Sequence, residues 1–420
     1  MGLALLMLMG GCASFSDSLK GIEYDLAADR PADALQVLEK QHRFHGDDVL
    51  YLLNKAMLLR MTGDYAASND AFILATRRIS DLYGASVSEN AAAFIINDST
   101  RIYTAPTFER VLIHLYMALN YLALGQHDQA RVEALQVDLT LREQAEHGLK
   151  SDKEDALARY LSGKIYEEQG EWSDARIAYV QAYQAYQEHQ KKYGMPVPKF
   201  VEYDVLRLTQ KEGLTQDLAD YKKTFALKDA ASGPDTADLG QLVFLLNEGL
   251  APLKREHSVT IINPESGRLI RISLPYYENR RSNVARARVT IGGKTVTTEL
   301  AEDIGAIAKN DLESSMGAIR ARALARAVAK DQAARRAAQQ NDILGLAVNI
   351  TNVLTERADT RSWFTLPSHI HLAVITLPPG HYSAKIELLG NNDEVISTRM
   401  FDNVVIRAHQ IAYLSYHTAA

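Results

Sequence analysis

Residues 162–183 read SGKIYEEQGEWSDARIAYVQAY, and this stretch decides the N-terminal half of the chain. A small residue, Gly163, precedes Tyr166; a glycine follows at 170; then Trp172, Ala175, Tyr179 and Ala182 recur at helical spacing. Two periodic runs broken by a single glycine describe two helices joined by a tight turn. The same skeleton appears at 116–135, YMALNYLALGQHDQARVEAL, with Ala118, Tyr121, Gly125 and Ala130. It appears again at 52–79, LLNKAMLLRMTGDYAASNDAFILATRRI, with Ala56, Gly63, Tyr65, Phe72 and Ala75. A degenerate copy, DLAADRPADALQVLEK at 25–40, puts Asp29 at the turn and Ala34 and Leu38 on the second helix.

This pattern resembles the tetratricopeptide (TPR) repeat. Small residues at 56, 118 and 163 let paired helices approach, glycines relieve the turn, and Tyr65, Phe72, Trp172 and Tyr179 fill the space between hairpins. Asp29 to Gly63 is 34 positions, the repeat's own period. Gly125 to Gly170 is 45, which implies an insertion in the polar stretch REQAEHGLKSDKED, and the 62 positions from Gly63 to Gly125 imply an interleaved extra hairpin. Stacked repeats form a superhelix whose concave face comes from the first helix of each pair. Met57, Arg60, Leu115, Leu119, Leu122, Tyr160, Lys164 and Glu167 fall on that face. Two readings of them stand: an apolar groove that captures a partner segment, or a core covered by the chain's own C-terminal half.

The chain's 420 residues leave room for two or three domains, and 47% hydrophobic with 23% charged residues is globular composition. A net charge of −6 argues against a nucleic-acid partner. The one cysteine excludes an intramolecular disulfide framework and any multi-cysteine metal site. That cysteine, Cys12, follows an apolar run from Leu3 to Met9 and two glycines. The run is too short to span a bilayer but has the form of a signal h-region. It resembles the lipobox of bacterial lipoproteins, although Met9 stands where leucine is usual and no Lys or Arg precedes it. The resemblance implies removal of residues 1–11, a translation start further upstream, and acylation of Cys12. Ala13 in the next position implies an outer-membrane address. Acyl chains contribute about 0.8 kcal/mol per buried methylene, so two or more anchor a soluble body durably.

After a helical region at 12–227, the turn-rich stretch KDAASGPDTADLG at 228–240 reads as a linker, and from 241 to 420 the pattern changes. QLVFLLNEG, SVTIINPESGRLIRISLP, RARVTIGGKTVTTEL, HIHLAVITLPPGHYSAKIELLGNNDEVISTRMF and NVVIRAHQIAYLSYHT read as short strands and hairpins. The expected fold class is α+β and multidomain: an N-terminal α-solenoid of TPR hairpins, then an antiparallel β-sandwich-like domain with a helical insertion at about 300–357. On that insertion Arg322, Arg326 and Lys330 recur at i, i+4 and form a basic stripe, either a solvated face or a contact for anionic lipid or an acidic partner. ILGLAVNITNVL, residues 343–354, suits either a core or a docking surface.

Catalytic signals are sparse. GGKT at 292–295 ends like a phosphate-binding loop, but Arg288 stands where the first glycine belongs and the segment reads as a hairpin. His42 with His45, and His369 with His371, share faces, yet neither pair has a third ligand beside it. No GxSxG or HExxH occurs, and acylation of Cys12 would leave no thiol. The expectation is a protein without cofactor, metal or catalytic residues.

Three stretches go beyond a generic repeat: 104–136, TAPTFERVLIHLYMALNYLALGQHDQARVEALQ; 246–256, LNEGLAPLKRE; and 358–370, ADTRSWFTLPSHI. They resemble a family of uncharacterised bacterial TPR outer-membrane lipoproteins. Members are often encoded beside a lipoprotein similar to the curli channel or to an activator of penicillin-binding proteins. The resemblance implies a lipid anchor on the periplasmic face of the outer membrane and protein partners in the envelope, among them other lipoproteins. The expected function is a non-catalytic adaptor. The alternatives are a regulator or enzyme of cell-wall or polysaccharide metabolism, and a structural subunit of a secretion or motility apparatus.

Overall fold

A computed structural model describes residues 19–42, 48–96, 98, 103, 105–146, 155–225, 238–265 and 267–419. Cys12, the 1–11 segment, His45 and most of the 228–240 linker lie outside the described residues. The helical half consists of α1 (Lys20–Ala27), α2 (Pro31–His42), α3 (Asp48–Met61), α4 (Tyr65–Ile96), α5 (Thr107–Ala123), α6 (His127–Glu146), α7 (Ala156–Glu168), α8 (Trp172–Tyr193), α9 (Lys199–Lys211) and α10 (Thr215–Phe225). These form five hairpins among the described residues. Their turns share one geometry: the turn residue has positive φ at Asp29, Gly63, Gly125, Gly170 and Gly213. Each donates its N–H to the carbonyl three residues back, Leu26, Arg60, Leu122, Glu167 and Gln210. Left-handed backbone at a helix end is what glycine supplies cheaply, and aspartate tolerates it.

One expectation is corrected here. Among the described residues the long interval between Gly63 and Gly125 holds no extra hairpin; α4 runs on to Ile96. The segment after Pro196 forms a further hairpin turning at Gly213. Close helix approach is visible at Gly163, where an added Cβ would lie 2.5 Å from the Tyr179 ring.

The second half contains β1 (Gly240–Glu248), β2 (Leu253–Ile262), β3 (Leu269–Glu278), β4 (Arg286–Ile291), β5 (Lys294–Thr297), β6 (Glu299–Asp303), α11 (Ile304–Gln340), α12 (Asp342–Thr355), β7 (His369–Leu377), β8 (Gly380–Leu389), β9 (Val395–Ile406) and β10 (Ile411–Thr418). One sheet runs β10-β1-β7-β6, another β5-β4-β8-β9, and β2 and β3 form a separate ribbon. The first sheet is mixed, not wholly antiparallel: β1 and β10 are parallel, with Gln241 opposite Ile411. Strand β1 explains its own unbroken apolar run. Leu242, Phe244 and Leu246 pack with Val289 and Ile386 of the second sheet, while Val243 and Leu245 turn the other way into the helical array. A strand covered on both faces has no polar side to alternate with.

One apolar cluster therefore crosses from array to sheet. It joins Leu53, Phe72, Leu119 and Tyr160 to Val243, Leu245, Trp363, Leu366, Ile370, Leu372 and Ile411. Trp363 is its largest fully buried side chain, meeting the rings of Phe72 at 5.7 Å and Tyr116 at 6.3 Å edge-on. The three stretches that carry the family resemblance meet at this seam. Trp363 N–H donates to Glu109 at 3.2 Å, Tyr116 OH to Asn247 at 3.0 Å, and Ala251 N–H to Leu366 O at 2.7 Å.

Candidate functional site

The concave trough is filled by the chain itself. Met57, Arg60, Leu115, Leu119, Leu122, Tyr160, Lys164 and Glu167 are all between 0% and 8% exposed. The expectation of an open partner groove is corrected: β1, β7, β10 and the 358–370 segment occupy it, as the core alternative required. The physical reason is that β1 has a second apolar face, and the array's apolar face is the surface that covers it.

Lys164 and Glu167 of the trough are satisfied internally. Lys164 Nζ lies 2.7 Å from Asp204 and donates to Gln241 of β1 at 2.8 Å. Arg207 bridges Asp204 at 2.6 Å and Glu167 at 2.7 Å, and Tyr160 and Tyr179 donate to the same two carboxylates. Burial alone would raise the Asp204 carboxyl, but Lys164 and Arg207 hold it down to about 2. Lys164 is therefore a positioning contact between α7 and the sheet. A buried pair reinforces the same seam. Asp155 caps α7 by accepting the Ala158 N–H at 2.7 Å, and Glu302 of β6 accepts the Leu157 N–H at 3.3 Å. Burial raises Asp155 to about 6, and burial with the neighbouring Asp155 raises Glu302 well above the usual carboxyl range. Asp155 and Glu302 are 6% and 0% exposed, and this burial favours their protonated forms.

Two residues of the basic stripe, Arg326 and Lys330, are likewise internal, while Arg322 is partly exposed. Arg326 is fully buried, donating to Glu356 at 2.8 Å and to Asp98 at 3.0 Å. Lys330 Nζ lies 2.6 Å from Glu356, and Arg322 lies 3.9 Å from Asp98. The expected contact for lipid or an acidic partner is thereby corrected for Arg326 and Lys330. Their spacing marks a face that ties α11 to the carboxylate just past α12 and to Asp98 beyond α4. His369 Nδ1 pairs with Glu248 Oε2 at 2.7 Å, and burial pushes His371 down to about 4. Among the described residues no group of three His, Cys, Asp or Glu is placed to hold a metal. GGKT forms the β4–β5 turn, with Lys294 Nζ on the Thr376 carbonyl at 2.7 Å.

What remains open lies on the arm made by α11, α12, β2 and β3. Helix α12 has its polarity reversed. Its inner face carries Gly345, packed on Ala338, and Asn349, whose amide donates to Leu269 O at 2.8 Å and accepts Leu269 N–H at 3.1 Å. Asn352 donates to Lys330 O at 2.9 Å. Its outer face carries Ile343, Leu346, Ile350 and Leu354, exposed to 78%, 61%, 45% and 65%. From 343 to 355 the helix has no charged residue. Val259, Ile261, Ile262 and Leu269 of the β2–β3 ribbon are also exposed. A soluble helix normally turns such residues inward, and a contiguous exposed apolar patch marks an interaction surface. Periodicity alone finds the stripe at 343, 346, 350 and 354; only the asparagines on the other face hint at which side is inside.

No family model and no curated protein matches the chain. Among solved structures, half of the chain (50%) aligns with 92% of a Podosopora anserina kinesin light chain of nearly identical TPR-like repeats, at 14% identity and a TM-score of 0.34. MamA of AMB-1 aligns over 52% of this chain and 94% of its own, at 13% identity and a TM-score of 0.31. The TPR2AB domain of yeast Sti1, solved with pHSP90, aligns over 51% and 77%, at 14% identity and a TM-score of 0.23. The TPR-like repeats are seen in the five hairpins and their turns among the described residues.

Proposed function

We propose that this protein is a non-catalytic adaptor of the cell envelope, tethered through an acylated Cys12 to the periplasmic face of the outer membrane. Its partner surface is the outward face of α12 with the neighbouring β2–β3 ribbon. The observation that supports this is the reversed polarity of α12: amides hold it to the fold while Ile343, Leu346, Ile350 and Leu354 face out. Among the described residues no helix is long and apolar enough to cross a membrane, so the proposed tether is the lipid. The filled trough acts as a rigid mount, and the arm presents the surface.

The test is a photo-crosslinking residue at Leu346, with one at buried Leu119 as control, in intact cells. A discrete protein adduct from position 346 alone supports the adaptor. Adducts with lipid alone, or none at either position, overturn it. Metabolic labelling with palmitate, lost on Cys12→Ser, tests the tether separately.

A further inference from the structure

Among the described residues, a buried guanidinium at the end of the trough has no carboxylate partner, unlike the other buried cations. Arg60 sits in the last turn of α3, 4% exposed, between the rings of Tyr65 at 5.6 Å and Tyr116 at 5.4 Å. One nitrogen donates to Asn120 Oδ1, its Nε has no hydrogen-bond partner, and among the described residues no carboxylate pairs with it. The other buried Lys and Arg side chains differ: Arg159 has Asp138, Lys164 has Asp204, and Arg326 and Lys330 have Glu356. An isolated buried charge costs several kcal/mol, so its persistence calls for a partner.

Arg60 lines a pocket of about 260 Å³ between the first two hairpin turns and the ends of β1 and β10. Asn247, Ser415 and His417 supply its polar wall, and Leu26, Leu250 and Phe401 its apolar side. His417 Nε2 is a second buried polar atom without a partner. Burial and the Arg60 charge together hold that imidazole well below its ordinary value. At the rim, Asp29 is already engaged by Arg399 at 3.2 Å and does not neutralise Arg60.

We propose that this pocket binds a small oxyanion-bearing molecule, a carboxylate or a phosphate ester with a short apolar body. The oxyanion lies against the Arg60 guanidinium and the His417 imidazole, which both line the pocket, and the body lies against Leu26 and Phe401. The volume falls below the ~300–1,000 Å³ of sites for drug-sized ligands, which selects a small molecule. The site is independent of the arm, so either proposal can fail alone.

The test uses the full chain titrated with sodium propionate and with inorganic phosphate, against sodium chloride at equal ionic strength. Binding is read by calorimetry and by the NMR shift of the His417 ring. Saturable one-to-one binding of one anion, moving the His417 signal and weakened about tenfold or more in Arg60→Met, is the expected result. Propionate and phosphate separate the two ligand sources. Arg60→Met removes a buried charge and also the donor to buried Asn120, so its Tm is measured first to show that the variant is folded. If Arg60→Met does not fold, His417→Ala carries the binding comparison. Absence of saturable binding for both anions, or binding unchanged in the folded variant, overturns the proposal.

Discussion

Exchanging polarity on the two faces of α12 gives effects opposite to those of an ordinary amphipathic helix. Leu346→Gln and Ile350→Gln introduce good helix formers at positions already 61% and 45% exposed, so roughly half of each side chain's burial is at stake. With full burial of such a side chain at about 1.5–3 kcal/mol, and the glutamine methylenes retaining part of that contact, each change costs about 0.5 kcal/mol. Asn349→Leu is an apolar gain by composition. It removes both amide hydrogen bonds to Leu269, at 2.8 and 3.1 Å, and presses a branched side chain between α12 and β3. Each backbone group left unpaired costs about 1–3 kcal/mol, less where water reaches it, so the expected loss is about 3 kcal/mol. Hydrogen exchange of the 342–355 amides in the full chain measures both. The double glutamine variant should keep near-native protection, and Asn349→Leu should open the helix. If the glutamines cost more than ~2 kcal/mol while Asn349→Leu is neutral, the outer face is covered in the isolated protein and the polarity argument is wrong.

Leu119→Asp places a carboxylate in the filled trough and should cost about 3–5 kcal/mol, lowering Tm sharply or abolishing soluble expression; an unchanged Tm would mean the trough is open in solution. Gly163→Ala sets a methyl against the Tyr179 ring, and overpacking of ~1–3 kcal/mol should exceed the ~1 kcal/mol gain in helix propensity, a net loss seen as a lower denaturation midpoint. The Asp155–Glu302 pair has folded pKa values above their unfolded ones, so the native state holds extra protons and stability falls as pH rises from about 4 through about 6 and beyond. Glu302→Gln should flatten that fall and raise Tm at neutral pH; a variant whose Tm follows pH as the parent's does would contradict the raised Glu302 carboxyl. His371, pushed down to about 4, contributes with the opposite sign below its ordinary value, so the difference between variant and parent is the quantity to read.

Local signals carried much of the array. A glycine between two helical periods reports a left-handed turn wherever it occurs, which is why Gly63, Gly125 and Gly170 were legible and why Gly213, in KEGLTQ, was there to be found. The 62-position interval misled because length does not distinguish an added hairpin from a lengthened helix. Hairpin signals such as Gly292–Gly293 also report local backbone, and β4 and β5 turn there. The parallel pairing of β10 with β1, between strands about 170 positions apart, has no local signature.

The sequence by itself determined which side of each helix is apolar, where the glycine turns fall, and that strands follow them. It did not determine what each face meets. Leu119 and Leu346 occupy equally apolar stripes, yet one lies under β-strands and the other faces solvent. Arg326 and Lys330 share an i, i+4 stripe, yet their partners are Glu356, and for Arg326 also Asp98, far away in the chain. Periodicity is set by a helix's own geometry, one residue after another. Burial and charge pairing belong to two surfaces at once, and only the folded chain brings the second surface into place.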